Sequence, residues 1–137
     1  MSDKTKTGGC LCGAVRYELT QDLLGMGQCH CRDCQIVAGG SPAHVVLVPT
    51  GSIKVTGELK EFRTTAANGN TPARKFCPEC GTHLFSAPGG ESPLEVVKVG
   101  TLDDPSNYVS TAVLWTSSAQ PWHSIPKGAA TFEKDIG

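Results

Sequence analysis

The chain has 137 residues, the usual size of one compact domain, and its 12 basic residues nearly balance its 13 acidic ones. A net charge of −1 without blocks of like charge argues against nucleic-acid binding, which normally needs a strongly basic surface. No stretch approaches the about 18 apolar residues of a membrane span, and the polar N-terminus lacks the apolar segment of a secretory signal. We therefore expect one domain over residues 1–137, in the cytoplasm, with neither nucleic acid nor a membrane as partner.

Short extended segments dominate the chain. Between residues 14 and 19, Val15, Tyr17 and Leu19 alternate with charged residues, which is typical of a strand with one buried face. Similar runs, separated by turns rich in Gly, Pro and Asn, predict further strands over residues 43–48, 53–56, 59–63, 82–87, 94–102 and 108–116. The sequence therefore predicts a mostly β fold.

One short segment, residues 33–38, favours a helix. Asp33 is expected to be its N-cap, and the Gly-Gly pair that follows is expected to end it early. Residues 64–72 are rich in Asn and Gly and predict a loop or hairpin tip, and the Pro-containing tail after Thr116 is expected to be irregular. Helices therefore contribute little to the expected fold.

Seven cysteines form three closely spaced motifs that suit metal ions better than disulfides. The motifs are Cys-x-Cys, Cys-x-Cys-x-x-Cys and Cys-x-x-Cys, formed by Cys10 and Cys12, by Cys29, Cys31 and Cys34, and by Cys77 and Cys80. Two residues between cysteines allow both thiolates to reach one ion from a tight turn. A structural zinc ion takes four thiolates and a reactive one keeps an open position, so seven thiolates suggest one ion of each kind.

The first and last motifs together provide four thiolates. Glycines flank the first motif and Gly81 follows the last, so the backbone can fold tightly around an ion at both places. One zinc ion held by Cys10, Cys12, Cys77 and Cys80 would join the start of the chain to its middle, as a structural site should. Such a site contributes on the order of 10 kcal/mol to folding.

The middle motif leaves Cys29, Cys31 and Cys34 with three thiolates and no further cysteine to complete the set. A zinc ion with three protein ligands keeps a position for water or substrate. An exogenous thiol bound there would lose its proton and become a nucleophile, or the ion would polarise an aldehyde oxygen as a Lewis acid. We therefore expect the catalytic centre at this motif, by one of these two routes.

Other interpretations of the cysteines and histidines stay open. A disulfide or a thioredoxin-like redox pair at either Cys-x-x-Cys is the main alternative, although the odd number of cysteines weakens it. A histidine can also close the three-cysteine site and make it structural. His30 is expected to point away from its cysteine neighbours, His44 and His83 can reach the site only through the fold, and His123 is expected to be a surface or packing residue.

Four segments resemble one known family. They are Gly-Gly-Cys-Leu-Cys-Gly-Ala-Val-Arg-Tyr at 8–17, Cys-His-Cys-Arg-Asp-Cys at 29–34, Phe-Cys-Pro-Glu-Cys-Gly-Thr-His-Leu-Phe at 76–85, and Gly-Thr-Leu-Asp-Asp-Pro at 100–105. In this order they closely resemble the glutathione-dependent formaldehyde-activating enzymes, a family that also includes the centromere protein V-like domains. The resemblance covers nearly the whole chain.

The resemblance implies an Mss4-like fold of short antiparallel strands with two zinc ions per chain. It assigns the structural zinc to the first and last cysteine motifs and the catalytic zinc to Cys29, Cys31 and Cys34. The family's namesake reaction joins formaldehyde and glutathione into S-hydroxymethylglutathione and is classed as a carbon–sulfur lyase reaction. The implied partners are therefore a small thiol such as glutathione and an aldehyde.

The sequence leaves the organic part of the site open. Arg16, Arg32, Arg74 and Lys75 are candidates to meet the carboxylates of glutathione, although a solvated surface charge is the simpler interpretation of each. A carrier of glutathione or its adducts without catalysis, or a zinc-stabilised protein-interaction module, is the alternative function.

Overall fold

The computed structural model describes residues 6–66 and 68–135. Within these ranges it has one α-helix, α1 (Arg32–Val37), and two 3₁₀ turns, Val99–Thr101 and Thr116–Ser118. The strands are β1 Thr7–Gly9, β2 Arg16–Leu19, β3 Gly25–Cys29, β4 Ala43–Pro49, β5 Ile53–Thr56, β6 Lys60–Arg63, β7 Ala73–Phe76, β8 His83–Ala87, β9 Leu94–Lys98, β10 Ala112–Leu114 and β11 Ala130–Thr131. The mostly β fold predicted from the sequence is confirmed.

The strands form two sheets of different size. The small sheet has the order β1-β2-β5, and both of its pairings are antiparallel. The large sheet has the order β11-β10-β3-β4-β9-β8-β7-β6. Its pairings are antiparallel, as expected, except that β10 runs parallel to both β3 and β11.

The core lies between the small sheet and one face of the large sheet. Val46, Val97 and Phe85 are in register on neighbouring strands of the large sheet and are almost fully buried. Tyr17 of β2 packs edge-on against Phe85, with the ring centroids 5.0 Å apart. Each such fully buried side chain stabilises the fold by about 1.5–3 kcal/mol relative to exposure. The alternation predicted for β2 is confirmed, because Tyr17 and Leu19 are buried.

The opposite face of the large sheet carries charged side chains. Lys98 follows Val97 along β9, and Arg74 precedes Lys75, which pairs with Phe85. Since successive residues of a strand point to opposite faces, Arg74 and Lys98 lie on the face away from the core. Helix α1 contacts β4. This second face positions the site described below.

Several strands differ from the sequence prediction. The strand expected over 94–102 ends at Lys98, where a 3₁₀ turn begins, and the strand expected over 108–116 is reduced to β10. Strand β3 escaped prediction because of its glycines, which are usually depleted in strands. The structure requires the glycine at Gly27, since a Cβ there would lie 2.7 Å from the carbonyl oxygen of Ala112 on β10.

Helix α1 forms where the sequence predicted it, but its cap differs. Cys31 is the N-cap, and its Sγ accepts a hydrogen bond of 3.4 Å from the Cys34 amide. Asp33 instead lies in the first turn, where its negative charge suits the helix dipole. Gly39 and Gly40 follow with φ of 76° and 112°, which ends the helix as expected. In the described ranges, none of the helices is long and apolar enough for a membrane crossing.

Candidate metal centres

The first and last cysteine motifs meet in space as a four-sulfur cluster of Cys10, Cys12, Cys77 and Cys80. Their sulfur atoms all lie within 4.8 Å of one another. The Cys10–Cys12 and Cys12–Cys77 sulfur distances are 3.6 and 3.8 Å. Zn–S bonds of about 2.3 Å in a tetrahedron would place the sulfurs about 3.8 Å apart. The cluster therefore fits a four-coordinate zinc ion.

Two tight turns build this cluster. In the first, the Val15 amide donates to Cys10 Sγ at 3.2 Å and the Cys10 amide donates to the Val15 carbonyl at 3.0 Å. In the second, the Gly81 amide donates to the Cys77 carbonyl at 2.9 Å, with Gly81 at a φ of 76°. The first turn joins two strands of the small sheet and the second joins two strands of the large sheet. An ion held by both turns would clamp the sheets together.

The middle motif forms a three-sulfur cluster of Cys29, Cys31 and Cys34. Cys29 ends β3, Cys31 caps α1, and Cys34 lies in the first turn of that helix. The three sulfur atoms lie within 4.8 Å of one another. Among the residues that the structure describes, no histidine or carboxylate joins either cluster. The sulfur donors fit zinc, and the second cluster offers it three protein ligands.

The three-sulfur cluster favours ionisation of Cys34. Hydrogen bonds from Cys29 and Cys31 lower the pKa of Cys34, and the positive charges of Lys98 and Arg74 lower it further. The pKa of Cys29 is raised, mainly by its contacts with Cys31 and Cys34 and by burial. The surroundings of the cluster therefore favour the thiolate form of Cys34.

Each histidine is placed away from a ligand position. The ring nitrogens of His30, which is fully buried, are hydrogen-bonded to Gln28 at 2.9 Å and to His123 at 3.0 Å. His44 Nδ1 lies 3.2 Å from the Tyr108 hydroxyl. The prediction that His30 points away from its cysteine neighbours is thus confirmed, and His123 is a packing residue. The seven cysteines are free thiols, so no disulfide forms at either Cys-x-x-Cys.

The four basic candidates for a glutathione contact separate widely. Arg16 is paired with Asp103, its Nη1 lying 2.9 Å from Oδ1, and Arg32 donates to Gln35 at 2.8 Å. Lys75 lies on the core side of the large sheet, in a groove away from the three-sulfur cluster. Arg74 alone acts on Cys34 and lines a pocket beside it. Only 9% of Arg74 is exposed, so its interpretation as a solvated surface charge is wrong.

Sequence reasoning missed the pocket beside the three-sulfur cluster. The pocket has a volume of about 350 Å³ and lies between α1 and strands β6, β7 and β8. Asp33 and Arg74 are its charged lining residues, and its other walls are formed by Ile36, Val37, Phe62, Thr64, Phe76 and His83. Strand β7 was not predicted, so nothing in the sequence placed Arg74 and Phe76 on one face. Lys98 was missed for a similar reason, since its strand was predicted but not its register.

Two sulfur clusters on two packed sheets define a mostly β protein with two candidate zinc centres. The model of the family described as "Glutathione-dependent formaldehyde-activating enzyme" matches residues 5–118. The chain belongs to this family, as the cysteine motifs predicted.

A solved structure supports the fold. A crystal structure of a Rhodobacter sphaeroides protein, determined as a structural-genomics target, is similar to the chain with a TM-score of 0.57 and 21% sequence identity. The match covers 70% of this chain and 86% of the other. At this identity the likeness concerns the fold alone.

Proposed function

We propose that the protein is a zinc-dependent carbon–sulfur lyase acting on adducts between glutathione, or another small thiol, and formaldehyde or a related aldehyde. Family membership supports the substrate class. The observation that carries the proposal is the cluster of Cys29, Cys31 and Cys34, which offers three sulfur ligands and no fourth protein ligand in the described part of the chain. In this proposal residues 1–137 act as one cytoplasmic domain.

The two clusters have different roles in this proposal. The four-sulfur cluster holds a structural zinc ion, since four ligands complete its coordination. Cys29, Cys31 and Cys34 hold the catalytic zinc ion and leave one position for substrate. That ion would supply Lewis-acid chemistry, either by lowering the pKa of a bound thiol or by polarising a carbonyl oxygen.

The protein's own charges assist the same reaction. In the synthetic direction the thiol sulfur forms a bond to the aldehyde carbon, the carbonyl double bond becomes a single bond, and its oxygen takes up a proton in place of the one that the thiol loses. Negative charge thus passes from sulfur to oxygen. Lys98 and Arg74, which both act on Cys34, favour the thiolate and the developing charge on oxygen.

The test is the exchange of formaldehyde with glutathione, followed by NMR exchange spectroscopy at equilibrium with and without the zinc-loaded protein. We expect the exchange rate to rise linearly with protein concentration and to fall to the uncatalysed rate in Cys34→Ala. Val109→Ala is the matched control, because Val109 is exposed and lies outside both clusters and the pocket. Glutathione binding without faster exchange would instead support the carrier.

A further inference from the structure

The pocket beside the three-sulfur cluster is much larger than formaldehyde requires. A volume of about 350 Å³ lies within the range of about 300–1,000 Å³ that is usual for small-molecule sites. Formaldehyde contributes only one carbon to an adduct and would leave this space unfilled. The pocket shares helix α1 with the cluster, since Ile36 and Val37 follow Cys34 along the helix.

Aromatic rings form much of the pocket wall. Phe76 and His83 are stacked, with centroids 5.2 Å apart and an angle of 29° between the rings. Phe62 pairs with Arg74 across β6 and β7 and exposes 59% of its surface. An aromatic ligand would cover Phe62, and aromatic pairs gain attraction beyond simple burial. Arg74 can also contact the face of such a ring.

Polar atoms of the pocket lack partners. In the described residues, Thr64 Oγ1 and His83 Nδ1 are buried side-chain atoms without any hydrogen bond, and both residues line this pocket. A buried polar atom that stays unpaired is costly, so its partner is expected to be a ligand or a water molecule.

We propose that the pocket holds the organic group of an aromatic aldehyde while its carbonyl carbon reacts at the three-sulfur cluster. This inference rests on the proposed function and specifies its substrate class. The thiol sulfur bonds to the carbonyl carbon of the aromatic aldehyde, the carbon–oxygen double bond becomes a single bond, and the oxygen receives a proton as the thiol loses one. The ring lies between Phe62 and the stacked pair of Phe76 and His83.

The test compares the exchange of glutathione with benzaldehyde, with cyclohexanecarboxaldehyde and with formaldehyde. The two ring aldehydes are similar in size, but only one is aromatic. Each rate is divided by its uncatalysed rate. We expect the highest acceleration for benzaldehyde. Phe62→Ala should lower the benzaldehyde-to-formaldehyde ratio by roughly tenfold, the discrimination that a single pocket contact typically provides, whereas Val109→Ala should keep the wild-type ratio.

A binding measurement supplies a second readout that does not depend on turnover. Benzyl alcohol carries the ring and a hydroxyl but no carbonyl, so it should bind without reacting. We expect it to shift the NMR signals of His83 and Thr64 in the wild type, and to bind at least several-fold more weakly to Phe62→Ala.

The outcomes separate this inference from the proposed function. Acceleration of formaldehyde exchange without any preference for benzaldehyde, and without benzyl alcohol binding, would overturn the aromatic pocket and leave the lyase intact. A uniform loss in Phe62→Ala for all three aldehydes, with weaker glutathione binding, would show that the thiol occupies the pocket and would also overturn the inference. No acceleration for any aldehyde would refute the lyase and with it the reaction of an aromatic aldehyde, even if benzyl alcohol still bound in the pocket.

Discussion

Replacing one cysteine of each cluster should distinguish the structural role proposed for the four-sulfur cluster from the catalytic role proposed for the three-sulfur cluster. A structural zinc site contributes about 10–16 kcal/mol, whereas a whole domain is stable by only about 5–15 kcal/mol. If Cys80→Ala loses the ion together with one thiolate, the lost free energy is comparable with the whole stability of the protein. Losing a thiolate in Cys34→Ala affects α1, a helix of six residues, while both sheets keep their pairings. We expect Cys80→Ala to unfold and Cys34→Ala to lose only about 1–3 kcal/mol.

The assay combines zinc content by mass spectrometry with thermal unfolding followed by circular dichroism. The wild type and Val109→Ala should hold two ions, and Cys34→Ala should hold one and unfold cooperatively. Side-chain burial alone would predict a larger loss of stability in Cys34→Ala than in Cys80→Ala, because Cys34 is buried with 8% of its surface exposed and Cys80 is only half-buried. The comparison therefore tests the metal cross-link rather than the packing. Equal collapse of both cysteine variants, or collapse of Cys34→Ala alone, would refute the division of roles.

Three further predictions concern the fold. Burial raises the pKa of Tyr17 from its usual 10.0 to about 12. The neutral phenol therefore stabilises the fold by roughly 3 kcal/mol below pH 10, and this contribution is lost as the pH rises from 10 to 12. Absorbance titration should show the late ionisation of Tyr17, and Tyr17→Phe should abolish it. Gly27→Ala should cost about 1–3 kcal/mol in urea unfolding, because its Cβ would lie 2.7 Å from a carbonyl oxygen, whereas Gly25→Ala meets its nearest atom at 3.8 Å and should cost less. Leu84→Ala should lower the free energy of unfolding by about 2–5 kcal/mol in the same assay, because Leu84 is fully buried. Leu24 is exposed, so Leu24→Ala should change it almost not at all. Similar losses of stability in the two variants would contradict the described core.

The sequence predicted which cysteines come together better than it predicted the pocket. Cysteines two residues apart almost dictate a shared ion, since a tight turn brings their sulfurs together whatever the rest of the chain does. The pairing of the first motif with the last also followed from counting ligands. Both inferences need only local geometry and the chemistry of sulfur.

The pocket needed information that local patterns do not contain. Phe62, Arg74 and His83 come from three strands, and the register of those strands brings them together. A β-bulge between Lys75 and Phe76 shifts this register and places Phe76 opposite His83. A shift of one residue would turn each side chain to the other face, so the pocket residues depend on long-range pairing. Strand β3 was missed because glycine has a low strand propensity, and Gly27 is needed there for the close approach of β10 rather than for the strand itself.

The chain positions of the two clusters suit the different roles proposed for them. Cys12 and Cys77 are 65 residues apart, whereas the three-sulfur cluster comes from six consecutive residues, 29–34. Loop-closure entropy grows with the logarithm of loop length, so the long-range cross-link constrains the unfolded chain by roughly 2 kcal/mol more than the local one. The long-range cluster also joins the two sheets, and a missing ligand there would loosen the whole core. The local cluster holds only a turn and a short helix, so an ion bound there could exchange a ligand with substrate while the sheets stay fixed, as the proposed function requires.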